Sequence, residues 1–160
     1  MKTALPLFIN PTSQLAERSF LELAEALENE TLRQVVRRLI VKDRIRASDA
    51  ECARIRFLQY ALLSSFVDGP LAPGPWEDLF WHAFILHTVD YEEFCTRHFG
   101  YFIHHVPTDP DIQADSDHLI DTRVLRQTHF LGPPSPSHSG AFAACNLYAG
   151  ISLGSRQSRS

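Results

Sequence analysis

The chain has 160 residues, a length that suits one compact domain and is short for two. Hydrophobic residues make up 44% of it and charged residues 21%, which is the composition of a folded globular protein and not of a disordered chain. The chain has only 7 glycines and 3 cysteines, and this excludes collagen-like and disulfide-framework classes. The formal net charge is −4.

The sequence gives no sign of membrane insertion or export. The apolar N-terminal stretch is interrupted by Pro6 and lacks a small-residue cleavage signal, so it does not resemble a signal peptide. No run of about 18 apolar residues occurs anywhere in the chain. We therefore expect a cytoplasmic protein without membrane contact, in which Cys52, Cys95 and Cys145 are thiols or ligands and not disulfides.

The first two predicted helices lie in the N-terminal third of the chain. Thr12 or Ser13 can cap a helix that runs to about Asn29, and a second helix follows over about 31–45. The second helix interleaves apolar residues with cations, namely Arg33, Arg37, Arg38, Lys42, Arg44 and Arg46. This pattern predicts a buried stripe and a basic face. A solvated face is the expected outcome. An anionic partner is the alternative, and nucleic acid is not expected because no nucleic-acid module is recognisable.

The third and fourth helices are predicted from a cap and from a break. Ser48 and Glu51 have the spacing of a capping box, which opens a helix with an apolar face. Proline and glycine then interrupt the chain before a fourth helix over 76–87, with Pro75 in its first turn. This fourth helix is apolar nearly all round, so we expect it to lie centrally and to be packed on several sides.

Two further helices complete the predicted fold. Thr88 is a good N-cap for a fifth helix that runs to His98 or Phe99, and Gly100 is placed to end it. A sixth helix is predicted over about 117–130.

The predicted fold class is mainly α. We expect a compact bundle of five to six helices within residues 1–131. A segment over 132–160, rich in Pro, Ser and Gly, should form an irregular and partly disordered C-terminal tail.

Potential metal ligands are crowded into the most apolar part of the chain. Five of the eight histidines and one cysteine fall within residues 82–105. A buried imidazole without a partner is costly, so each of these histidines must be hydrogen-bonded, metal-bound or exposed. If the fourth and fifth helices form a hairpin, His82 and Cys95 lie at the same level of it, and the chain can return His104 or His105 toward them.

These residues predict a metal site. His82, Cys95 and His105, with His104 as a substitute or fourth member, would supply nitrogen and sulfur ligands that suit zinc or iron. The spacing is not that of a standard zinc finger. In the alternative interpretation, the histidines are structural and Cys95 is a small buried hydrophobic residue.

Residues 54–107 resemble the bacterial glycine-rich-domain-containing protein family. The resemblance lies in a Phe-Leu helix, a loop with proline, an acid before Trp-His, then Tyr-x3-Cys and a Gly followed by His-His-x-Pro. These stand here as Phe57-Leu58, Leu71-Ala72-Pro73, Asp78, Trp81-His82, Tyr91, Cys95, Gly100 and His104-His105-Val106-Pro107. The resemblance implies that Trp81, His82, Tyr91, Cys95, Gly100 and His105 form one motif set. It implies no particular reaction, and the chain has no glycine-rich tail.

Two functional hypotheses follow. The first is a helical protein with a His/Cys metal site, either a metal-dependent enzyme or an accessory factor in a biosynthetic pathway, in which Tyr91 and Trp81 support the ligands. The second is a non-catalytic interaction module with structural histidines, whose basic second helix or C-terminal tail binds a partner. The partner, a protein or a small molecule, is not identified by the sequence.

Overall fold

The computed structural model describes residues 5–106 and 119–132 and confirms a mainly α fold. Its helices are α1 (Arg18–Glu28), α2 (Arg33–Val41), α3 (Ala47–Ser64), α4 (Pro75–Ile85), α5 (Thr88–Phe99) and α6 (Thr122–His129). Two short parallel strands, β1 (Leu71–Ala72) and β2 (Ile120–Asp121), pair with Leu71 opposite Ile120. None of the helices in the described ranges is long and apolar enough to cross a membrane. Except for Gly132, the predicted tail over 132–160 lies outside the described residues.

The core is built around α3. Seven consecutive residues, 57–63, are buried, so the second half of this helix is enclosed by other elements. It contacts α1, α2 and α4. The fourth helix packs against α2, α3 and α5, as its apolar sequence predicted. The one buried amide in this stretch, Gln59, donates from Nε2 to the carbonyl of Leu7 at 2.8 Å.

The predicted start of the first helix is wrong by several residues. The helix begins at Arg18 and not near Thr12. The backbone N–H of Thr12 donates to the Asn10 side chain at 3.1 Å, and the backbone N–H of Leu15 donates to Ser13 Oγ at 3.1 Å. These local hydrogen bonds hold the segment in turns, which compete with helix formation.

For the third and fifth helices the predicted starts are wrong, and the predicted end of the fifth helix is confirmed. The capping box is wrong: α3 begins at Ala47 without a side-chain cap, which places Ser48 inside the first turn. The fifth helix begins at Thr88, so His87 occupies the capping position. Gly100 ends that helix, as predicted, in the left-handed conformation with φ +74°.

The sixth helix is shorter than predicted because residues 120–121 pair with β1. Side-chain contacts hold it against the rest of the fold, and one of them is the hydrogen bond that Thr122 Oγ1 donates to the carbonyl of Ala72. Arg126 forms an ion pair with the buried carboxylate of Glu77 on α4, and Ser13 Oγ lies 2.8 Å from His129 Nδ1. Since Glu77 Oε2 has no hydrogen-bond partner among the described residues, Arg126 is the group that compensates this buried charge.

We expect Arg126→Met to lower the free energy of unfolding by about 3 kcal/mol, because it leaves the Glu77 carboxylate buried without a cation. Arg123→Met on the same helix is the matched control. Arg123 pairs only with the exposed Asp121, so its replacement should cost less than about 1 kcal/mol. Urea denaturation measures both values. Equal small losses would contradict the assigned role of Arg126.

Candidate metal centre

Three side chains meet on the outer side of α4. Asp78 and His82 are one helical turn apart on this helix, so they share a face. His105, from the segment after α5, approaches them. One ligand atom from each residue lies within 4.8 Å of the other two.

The carboxylate of Asp78 bridges the two imidazoles. Asp78 Oδ1 lies 2.9 Å from His105 Nε2, and Asp78 Oδ2 lies 3.2 Å from His82 Nδ1. His82 Nδ1 is also 2.9 Å from the backbone oxygen of Asp78. The centroids of the two imidazole rings are 4.3 Å apart. Two imidazoles and one carboxylate, which are potential metal ligands, therefore lie close together.

The site has an enclosed side and an open side. The His105 side chain is only 10% exposed, and its ring packs edge-on against Trp81 with a centroid distance of 4.6 Å. The His82 side chain, in contrast, is 54% exposed. Solvent therefore reaches the site from the His82 side, while Trp81 closes it from behind.

A chain of hydrogen bonds fixes the position of the return segment that carries His105. Trp81 Nε1 donates to the hydroxyl of Tyr91 at 2.8 Å, and this hydroxyl donates to the carbonyl of Ile103 at 2.6 Å. Burial raises the pKa of Tyr91. The phenol thus keeps the proton that it donates to Ile103, two residues before His105.

The structure separates the predicted ligands. His82 and His105 come together, but Cys95 and His104 lie outside their group. Cys95 is completely buried beside Tyr91, which lies one turn earlier on α5. His104 is exposed, with its ring 4.9 Å from that of Phe102. The predicted grouping of His82 with Cys95 is thus not observed, because α5 turns Cys95 toward the core.

Asp78, and not Cys95, is the third member of this cluster. The spacing Asp-x3-His on one helix was available as a signal, since residues four apart lie on the same face. Trp81 packs against the ring of His105, and Tyr91 is hydrogen-bonded to Trp81.

The fold and this cluster define a small mainly α protein with a His/Asp group at its surface. A family model described as UCP032817-like matches residues 23–120, and the chain belongs to that family. The matched range contains Asp78, His82 and His105. Comparison with curated proteins and comparison with solved structures each give no match.

We expect Tyr91→Phe to lower the free energy of unfolding by about 1–3 kcal/mol, because it leaves Trp81 Nε1 and the Ile103 carbonyl without their partner. Tyr101→Phe, at an exposed position, should change stability by less than about 0.5 kcal/mol. Thermal denaturation compares the two variants. A Tyr91→Phe variant as stable as Tyr101→Phe would show that the hydrogen-bond chain does not hold the return segment.

Proposed function

We propose that this protein binds a divalent metal ion, zinc or iron, through Asp78, His82 and His105. One observation carries the proposal: three potential ligand atoms from two separate segments of the chain lie within 4.8 Å of one another. Imidazole nitrogen together with carboxylate oxygen is a ligand set that suits both metals.

The number of ligands supports a reactive site over a purely structural one. Structural zinc sites are closed by four protein ligands, whereas catalytic sites keep a position for water or substrate. Two histidines and one carboxylate with open positions are also the ligand set of non-haem iron oxygenases. The exposed side of His82 leaves access for such a further ligand. A metal bound here would supply Lewis acidity or an activated water. On this basis we propose a metal-dependent enzyme or an accessory factor.

The resemblance to the glycine-rich-domain-containing family supports the same proposal. Of its motif set, His82 and His105 are members of the cluster, Trp81 packs against the ring of His105, and Tyr91 is hydrogen-bonded to Trp81. Gly100 ends α5 and so allows the chain to turn back toward α4. We propose that the motif exists to build this site.

The test is metal binding by protein purified without an affinity tag. Elemental analysis and anaerobic calorimetric titration with Zn²⁺ and Fe²⁺ should give one ion per chain. His105→Gln and His82→Gln should each weaken binding at least about tenfold, because each removes one of three ligands. His82 is exposed, so its replacement should leave the fold intact and keep the test valid if His105→Gln is unstable.

Two matched controls separate this ligand set from the one predicted by sequence alone. His104→Gln alters the neighbouring histidine, and Cys95→Ser alters the buried thiol; both should retain full metal stoichiometry. Loss of metal from Cys95→Ser would contradict the proposed ligands. Absence of stoichiometric binding by the unaltered chain would contradict the proposal itself and favour structural histidines.

A further inference from the structure

An open groove lies between α2 and the start of α3, and none of its lining residues belongs to the His/Asp cluster. Its volume is about 350 Å³. Four of its lining residues lie at helical spacing on α2, namely Arg33, Val36, Arg37 and Ile40, and two lie on α3, namely Glu51 and Arg54. Val36 and Ile40 are half-buried against the core, so they form an apolar floor between charged rims.

The two rims differ in charge compensation. Arg54 donates from Nε to Glu51 at 2.9 Å and from Nη1 to the carbonyl of Glu30, which neutralises the α3 rim. Arg33 and Arg37 on the α2 rim are exposed. They form no ion pair within the described parts of the chain. The α2 rim of the groove therefore carries uncompensated positive charge.

The N-terminus of α2 adds to this positive potential. The residue before the helix, Leu32, provides no side-chain cap, and the first turn contains no acidic residue. The partial positive charge of the free backbone N–H groups thus remains uncompensated beside Thr31 and Arg33, which line the groove. A carboxylate placed here would meet both the helix end and a guanidinium.

The segment that contains α2 is rich in cations. Six cations lie between residues 33 and 46, with Asp43 as the single acid, although the whole chain has a net charge of −4. At about 1.5 Å per helical residue, the groove follows α2 for about 10 Å from Arg33 to Ile40, which is more than a small anion would cover. The arrangement fits an extended partner.

We propose that the α2–α3 groove docks an acidic segment of a partner protein, with apolar side chains on Val36 and Ile40 and carboxylates on Arg33 and Arg37. The apolar floor favours a peptide over nucleic acid, since a phosphate backbone gains nothing from it and no aromatic residue lines the groove for base stacking. Charge complementarity should give rapid, salt-dependent association.

The test uses a fluorescein-labelled helical peptide rich in glutamate, with leucines at i and i+4, and measures binding by fluorescence anisotropy. Replacing the leucines by glutamine, or the glutamates by glutamine, should each weaken binding about tenfold, because both contacts are needed. Arg33→Glu/Arg37→Glu should weaken it at least as much. This variant should fold, because both side chains are exposed and an acidic side chain in the first turn of α2 interacts favourably with the helix dipole.

Arg18→Glu/Arg123→Glu is the charge-matched control. These arginines are 92% and 70% exposed and lie outside the groove, so this variant should bind as the unaltered protein does. An equal loss of peptide affinity in both double variants would show that binding depends only on the net charge of the protein, and this would overturn the proposal. So would absence of peptide binding, or a single-stranded RNA oligonucleotide that binds more tightly with the same dependence on Arg33 and Arg37. The His105→Gln variant should bind the peptide normally, which separates this result from that of the metal centre.

Discussion

The hydroxyl group of Tyr91 is the contact on which the candidate site depends. It accepts a hydrogen bond from Trp81 on α4 and donates one to Ile103 in the return segment, so a single buried group joins three parts of the chain. Trp81 in turn packs against the ring of His105. The return segment has no regular secondary structure of its own, so side-chain contacts such as this one and the His105–Asp78 hydrogen bond must hold it across α4.

Helix α4 serves the core and the site at once. Phe80 and Phe84 are buried against α3, whereas Asp78 and His82 face outward on the opposite side. The core packing on one face thus fixes the backbone positions of Asp78 and His82 on the other, as the proposed metal site would require of its scaffold. Cations are concentrated in residues 33–46, at and just after α2, whereas the candidate centre on α4 contains the carboxylate of Asp78.

The helices could be predicted from the sequence more completely than the contacts between their side chains. Hydrophobic periodicity and the position of Gly100 were sufficient to identify the helices, and the crowding of histidines in an apolar region pointed to His82 and His105. It could not predict the rotational phase of α5, which turns Cys95 inward and leaves Asp78 as the third member of the cluster. The pairing of Glu77 with Arg126 was likewise out of reach, because the two residues are 49 positions apart in sequence and neither lies in a recognisable motif.

X-ray absorption spectroscopy of the zinc-loaded protein tests the central claim, that the metal ligands are Asp78, His82 and His105, most directly. These ligands predict a first shell of nitrogen and oxygen at about 2.0–2.2 Å, with the multiple-scattering pattern of two imidazoles. A sulfur atom at about 2.3 Å would identify a cysteine ligand. That result would contradict the account, because it requires Cys95 to leave the core, or another thiol to bind, in place of Asp78.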